Sequence, residues 1–408
     1  MTKHQSKIEK LIEKLCPKGA EYITIGEIVV FVKGASIPRA RTSVDYEVPY
    51  LHYGDVYKLY KKEVDLDVVY DSIIKVLERE RVREDQYIQT GDIVYNLTSE
   101  TKEDLGKAIV VKNKGGRKFI AGTETTVMKI TRKDIVDPCF LNYLLMTPWY
   151  LNQFRKHTTG TKVYRVHPRA IAKIKIPLPP LAIQEEIVKI LNTFTELEAE
   201  LEAELEARKK QYEYYRSQLL IFPEGGARWV AISEICQISR GRVMSKEYLR
   251  DNMGEYPVYS SQTVNEGVFG RINTYDYNGE YLTWTTDGAN AGSIFYRNGK
   301  FSLTNVCGLL KTKVEDVNTK FLSYILATVS KKYVSAGMGN PKLMSNVMAN
   351  VKVQIPLLAE QNRIDSILEK FDILVNDISV GLPAEITARR SQYEHYRSEL
   401  LTFKEYAR

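Results

Sequence analysis

Two groups of residues in this chain carry side chains suited to hydrogen bonding with a polyanion. The first comprises Lys33, Arg39, Arg41, Thr98, Ser99 and Lys102, together with the run Thr158 to Arg165, in which Lys162 and Arg165 flank Tyr164. The second comprises Arg240, Arg242, Lys246, Ser260, Ser261, Gln262, Thr286, Asp287, Asn290, Asn340 and Lys342. Arginine and lysine suit guanine edges and phosphates, and asparagine and glutamine suit adenine edges. Any one of these residues, taken singly, also reads as part of an ordinary exposed loop. Clustered in corresponding places of two basic blocks, and interleaved with aromatics from a set of 27 tyrosines, they favour nucleic acid.

Other chemistry finds no residues to perform it. The sequence has no Gly-x-x-x-x-Gly-Lys-Ser/Thr phosphate loop, no His-Glu-x-x-His pair and no glycine-rich cofactor fingerprint following a strand. An amino-group methyltransferase needs an Asn/Asp-Pro-Pro-aromatic pocket. The nearest approach is Asp137-Pro138-Cys139-Phe140, which lacks the second proline and reads instead as a helix start, with aspartate capping and proline just inside. The four cysteines, Cys16, Cys139, Cys236 and Cys307, form no CxxC pair, which argues against zinc or disulfides and for a reducing cytoplasm. No apolar run reaches the roughly 18 residues of a membrane span. Met1 to Lys14 is charged and helical in pattern, unlike a secretory signal.

The elements that must position the two groups are visible as an internal repeat. Leu181-Ala182-Ile183-Gln184 with Ile187 returns as Leu358-Ala359-Glu360-Gln361 with Ile364, and Tyr215-Arg216-Ser217-Gln218-Leu219-Leu220 returns as Tyr396-Arg397-Ser398-Glu399-Leu400-Leu401. Both copies read as helices. Ile187, Leu191, Phe194, Leu197, Leu201, Leu205, Tyr212, Tyr215, Leu219 and Phe222 recur at helical spacing in the first. Ile364, Leu368, Phe371, Leu374, Ile378, Leu382, Tyr393, Tyr396, Leu400 and Phe403 recur in the second. A first helix of roughly 39 residues would span about 58 Å, and one apolar stripe of that length needs a partner, of which the other copy is the obvious one. Pro383, with Gly381 nearby, should break the second helix near its middle. Glu196, Glu198, Glu200, Glu202, Glu204 and Glu206 give the first helix either a solvated face or a docking surface for a basic partner.

Between the helices lie two strand-rich blocks. Tyr46–Leu51, Asp92–Leu97, Lys107–Val111 and Thr125–Ile130 read as strands of the first, with a helix over Phe140–Arg155. Gly267–Asn273, Glu280–Thr285, Gly292–Tyr296 and Cys307–Thr312 read as strands of the second, with a helix over Phe321–Tyr333. Each block begins alike: Leu15-Cys16-Pro17-Lys18-Gly19 before Tyr22 matches Ile221-Phe222-Pro223-Glu224-Gly225 before Trp229. The formal net charge of +7 is unevenly spread, at +9 over residues 1–180, −4 over 181–222, +4 over 223–357 and −2 over 358–408. A polyanion would therefore meet the blocks and not the connectors.

The repeat and the shared lead-ins resemble the DNA-specificity subunit of type I restriction-modification enzymes. The resemblance rests on residues 177–187 and 355–364, on the two Tyr-Arg-Ser-x-Leu-Leu helix ends, on Val48-Pro49-Tyr50-Leu51 with Gly54-Asp55, on Gly91-Asp92-Ile93 and on Tyr256-Pro257-Val258-Tyr259. The first copy has Ile183-Gln184 where the second keeps the family's Glu-Gln pair, Glu360-Gln361. The resemblance implies an α+β fold with two target-recognition domains, residues 1–180 and 223–357, joined by two long antiparallel helical spacers, 181–222 and 358–408, about a pseudo-twofold axis. It implies no catalysis and no cofactor in this chain. Two modification subunits would carry S-adenosylmethionine and methylate adenines, and two restriction subunits could join them to cleave double-stranded DNA. Each domain would read half of a bipartite target and the helices would set the spacer. A related modification or defence system without a cleavage partner is the alternative.

Overall fold

The structure is a computed structural model that describes residues 6–60, 62–335, 339–377 and 380–406. The chain divides into two compact units, residues 1–200 with 386–408, and residues 201–385.

In the N-terminal unit, Lys7–Leu15 forms a helix capped by Ser6, whose side chain accepts from the Glu9 amide. The strand Glu21–Thr24 then pairs antiparallel with Lys175–Leu178, so the lead-in and the exit of the block are zipped together. Between them lies a five-stranded sheet in the order Val29–Lys33, Thr125–Ile130, Ile93–Asn96, Ala108–Lys112, Glu63–Asp65. A four-stranded sheet follows the order Ile120–Ala121, Val48–Leu51, Lys75–Val76, Thr42–Ser43. The segment expected as one helix over Phe140–Arg155 is two helices, Pro138–Leu145 and Pro148–Arg155. Pro148 has no amide to continue the first, and Thr147 caps the second by accepting from the Tyr150 amide. Asp137 caps the helix Pro138–Leu145 through the Phe140 amide at 2.8 Å, as the Asp-Pro pair suggests.

The C-terminal unit repeats the frame around a different sheet. Arg228–Ala231 pairs antiparallel with Lys352–Ile355. Six strands follow the order Cys236–Arg240, Cys307–Thr312, Tyr277–Thr285, Ile294–Leu303, Met253–Tyr259, Val268–Ile272. The helix expected over Phe321–Tyr333 is α-helical only through Thr319–Val329, and tightens to a 3-10 turn over Ser330–Tyr333.

The long helix Leu181–Leu219 has 39 residues. The second helical segment breaks into Leu358–Asn376 and Leu382–Leu400, with Pro383 in the first turn of the latter, where its missing amide costs nothing. Ile378, one of the expected stripe residues, lies outside the described residues, as do Met1 to Gln5. Ile187 and Leu191 in one unit, and Ile364 and Leu368 in the other, are fully buried against the block helices, in cores with Phe140 and Phe321 respectively. Within the N-terminal unit Phe194 stacks on Tyr396 at 5.4 Å between ring centroids, and within the C-terminal unit Tyr215 stacks on Phe371 at 5.7 Å. In each unit one helix runs into the block and the other runs out of it, so the packed segments are antiparallel. The stripe is not uniformly deep, and Leu197 stays 41% exposed. At least three of the six glutamates in the run form ion pairs: Glu198 with Arg390 of the facing helix at 2.7 Å, Glu204 with Arg208 and Glu206 with Lys209.

The repeated Gln184 and Gln361 turn out to be the joints of this frame, and both are fully buried. Gln184 Oε1 accepts from the Asp137 amide while its Nε2 donates to the Ile135 and Pro179 carbonyls. Gln361 Oε1 accepts from the Asn318 amide while its Nε2 donates to the Asp316 and Pro356 carbonyls. Asp137 and Asn318 are the caps of the equivalent block helices, so one side chain ties the start of each spacer helix to the start of a core helix. The match continues at Ile25 and Ile232, whose amides donate to Ile174 and Val351 carbonyls, each at 3.0 Å. Gly19 and Gly225 end the two Pro-x-Gly turns at φ of 105° and 80°, a region open to glycine.

Candidate nucleic-acid interface

In the N-terminal unit the ends of three neighbouring strands converge at one edge of the five-stranded sheet. Lys33 ends Val29–Lys33 and lies opposite Thr126. Ile93–Asn96 continues into Thr98–Ser99, which pairs with Tyr164–Arg165, so that Arg165 lies opposite Thr98. The result is an open cleft of about 540 Å³ lined by Lys33, Thr98 and Arg165, all expected from the sequence, and by Glu124, Thr126 and His167, which were not. The Thr159 and Arg165 backbones exchange two hydrogen bonds of 2.9 Å, placing the exposed Lys162 in the loop of a hairpin beside the cleft. Lys102 Nζ lies 5.2 Å from the Tyr164 ring centroid, which holds that ring by its face. Arg39 and Arg41 lie on a 3-10 turn beyond Lys33, where Arg41 reaches Glu80 at 3.6 Å. Ser99 departs from expectation. It is buried, and its hydroxyl accepts from the Thr101 amide to close the turn that follows, so it does not face a ligand.

The candidates of the C-terminal unit are organised differently. Arg240 donates to Thr286 Oγ1 at 2.7 Å and reaches Asp287 at 3.5 Å, while Lys342 approaches Asp287 from the other side at 3.7 Å. Asn290 Nδ2 donates to Thr263 Oγ1, and Gln262 Nε2 to the Val268 carbonyl. Thr286 is fully buried beneath this cluster, so it positions Arg240 and does not itself meet a ligand. Arg242 is spent elsewhere, on Asp276 at 3.0 Å and on the Tyr248 hydroxyl, which holds its guanidinium above the usual arginine range. Lys246 is exposed on the first turn of the helix Lys246–Asp251, and Ser261 is half-buried beside Gln262. Together Arg240, Asp287, Asn290 and Lys342 form one polar rim, while Arg242 and Lys246 belong to a neighbouring surface.

Burial pushes the Cys139 thiol up to about 11 and those of Cys236 and Cys307 to about 12, so none is a thiolate at neutral pH. Among the described residues no helix is long and apolar enough to cross a membrane.

The family described as type I restriction modification DNA specificity domain matches residues 17–207 and 227–388, one match for each copy of the repeated frame. The chain belongs to this specificity family. A putative type I specificity subunit of Mycoplasma pneumoniae is 46% identical over 234 residues, covering 55% of this chain and 92% of that one. The EcoR124I/EcoR124II specificity subunit of Escherichia coli is 34% identical over 256 residues, covering 57% and 63%. Among solved structures, one from work on complex assembly and conformational transition of the type I R-M system superposes with a TM-score of 0.62 at 19% identity, covering 95% of this chain and 98% of that one. The HsdS subunit of Thermoanaerobacter tengcongensis does so at 0.55 and 18%, covering 98% and 99%. The family frame is the part that repeats here: paired lead-in and exit strands, the glutamine joint and the helices. The sheets it carries differ between the two units, which suits one frame holding two separate readers.

Proposed function

We propose that this chain is the site-choosing subunit of a type I restriction-modification complex. Each block reads one half of a bipartite double-stranded DNA target, and the helices set the spacer and dock two modification subunits, which supply S-adenosylmethionine and methyl transfer. Restriction subunits join this assembly where the system cleaves. The observation that carries the proposal is the duplicated frame holding two unlike, basic, strand-rich blocks, one of which keeps Lys33, Lys162 and Arg165 exposed around an open cleft. Phosphate contacts from such residues would give affinity and register, and base contacts from cleft residues would give sequence.

The chain alone is expected neither to bind S-adenosylmethionine nor to methylate DNA. The test is reconstitution. The purified chain, titrated calorimetrically with S-adenosylmethionine, gives no binding. Adding modification subunits yields adenine methylation at one bipartite sequence. Methyl transfer by the chain alone, or methylation without sequence preference in the assembled complex, would overturn the proposal.

A further inference from the structure

We propose that the cleft of the N-terminal unit reads one base pair through the major groove, with Glu124 as the acceptor for the exocyclic amino group that the pair presents there and Lys33 and Arg165 as donors to its acceptors. The inference rests on the DNA-reading role proposed above.

Glu124 is an unusual residue in its position. Among the described residues only Glu124, at φ 62°, and Asn265, at φ 50°, adopt positive φ without being glycine. Asparagine tolerates that region, whereas glutamate is not enriched there, and such a conformation costs about 1–3 kcal/mol unless the surroundings enforce it. The surroundings do enforce it. The buried Tyr50 hydroxyl accepts from the Thr123 amide at 2.8 Å, and Thr123 Oγ1 donates to the Ile37 carbonyl at 2.9 Å. On the other side Thr125 Oγ1 donates to the Gly122 carbonyl at 2.6 Å. The end of the strand carrying Lys33 closes over this turn so tightly that a Cβ on Gly34 would sit 2.0 Å from the Gly122 carbonyl oxygen. Thr123 and Thr125 are thus fixed, and Glu124 is presented from a strained backbone into the cleft it shares with Lys33 and Arg165.

A glutamate held only for structure would be expected to answer a nearby cation. In the C-terminal unit that happens, since Asp287 is shared by Arg240 and Lys342 and Asp276 takes Arg242. In the N-terminal cleft the Glu124 carboxylate makes no hydrogen bond or ion pair with any described residue, and neither do the Lys33 and Arg165 side chains. Three charged groups therefore remain uncommitted in one cleft, one accepting and two donating. A site for phosphate alone would not retain the carboxylate, which repels it. In the major groove guanine offers two acceptors, N7 and O6, and its partner cytosine one donor, N4. An A·T pair offers the same set, with N7 and O4 as acceptors and the adenine N6 as donor, so two cations beside one carboxylate complement the edge of a single base pair.

The test uses the full chain assembled with its modification subunits. E124G removes the carboxylate and relieves the backbone strain, so it should fold at least as well as the parent. E124A removes the carboxylate alone. Methylation of a library of half-site variants is then sequenced. Both variants should lose discrimination at one position of the half-site read by the N-terminal unit, by about 10- to 100-fold, with the other half-site unchanged. R165A should relax the same position. Unchanged discrimination in both Glu124 variants, or relaxation in the other half-site, would overturn the inference while leaving the subunit's role intact. Failure of the unsubstituted complex to methylate any bipartite sequence would instead overturn the role itself, and the inference with it.

Discussion

Replacing Gln361 with alanine should be among the most damaging single changes in the C-terminal unit, although Gln361 touches no proposed DNA contact. The side chain is fully buried and makes three hydrogen bonds, from the Asn318 amide at 2.9 Å and to the Asp316 and Pro356 carbonyls at 2.9 and 2.8 Å. Each such bond contributes about 1 kcal/mol net, and a buried group left unpaired costs about 1–3 kcal/mol. Gln361→Ala should therefore cost about 3–5 kcal/mol, the lower end applying if a water enters the vacated space. At about 2–4 °C per kcal/mol for a unit of this size, melting should fall by roughly 10 °C. Gln361→Glu gives a sharper test. A carboxylate can still accept from Asn318 but faces two carbonyl oxygens, whereas the protonated acid can donate to one of them. Its folded-state pKa is then raised above the unfolded value, so its penalty is small at acid pH and grows as pH rises. The assay is thermal unfolding at pH 5 and pH 8, combined with hydrogen exchange at the Asn318 amide, which should lose protection first. Unchanged melting and an equally protected Asn318 amide would refute the joint, and with it the physical reason for the repeat.

Asp365→Asn should stabilise the protein. Burial raises the Asp365 carboxyl above the usual range, only partly offset by the Asn318 amide group at 3.1 Å, so its charged form is disfavoured on folding. That cost is full above the folded pKa and vanishes as pH falls below the unfolded value, so the melting gain should be present at pH 8 and absent at about pH 3. Lys162→Ala should weaken DNA binding by the assembled complex equally across sequences and reduce the salt slope by about one; an unchanged slope would remove that loop from the interface. A four-residue insertion near Leu201–Leu205 lengthens the helix by about 6 Å while turning it by little more than one turn, so the apolar stripe keeps its face. The methylated target should keep both halves and gain one or two base pairs of spacer, at about 3.4 Å each, and an active variant with the original spacer would show that the helix does not set it.

The frame was legible in the sequence because it is written twice. Leu-Ala-x-Gln, the Tyr-Arg-Ser-x-Leu-Leu ends and the Pro-x-Gly turns recur, and the 39-residue helix and the break before Pro383 follow from periodicity and proline chemistry. The split at Thr147-Pro148 was equally readable, since a threonine before a proline both ends and caps a helix, but the continuous apolar pattern masked it. The purpose of Gln184 and Gln361 was not readable, because two of the three partners of each lie in the preceding block, more than forty residues away in sequence. The interface was legible only as composition. Exposed Lys33, Lys162 and Arg165 follow from loop chemistry, but Ser99 and Thr286 are polar residues that the fold consumes internally. Glu124 carried no local signal, because the positive φ that presents it is imposed by Tyr50 and Gly34, remote in sequence.

The central claim is that the two units are separate readers on one frame, and exchange of a single reader tests it most directly. Residues 223–357 are replaced by the corresponding block of a relative with a different target, and the modified adenines are mapped across a genome after assembly with the modification subunits. The account predicts a target in which one half-site changes to that of the relative while the other half-site and the spacer persist. A target altered in both halves, or in neither, would contradict it.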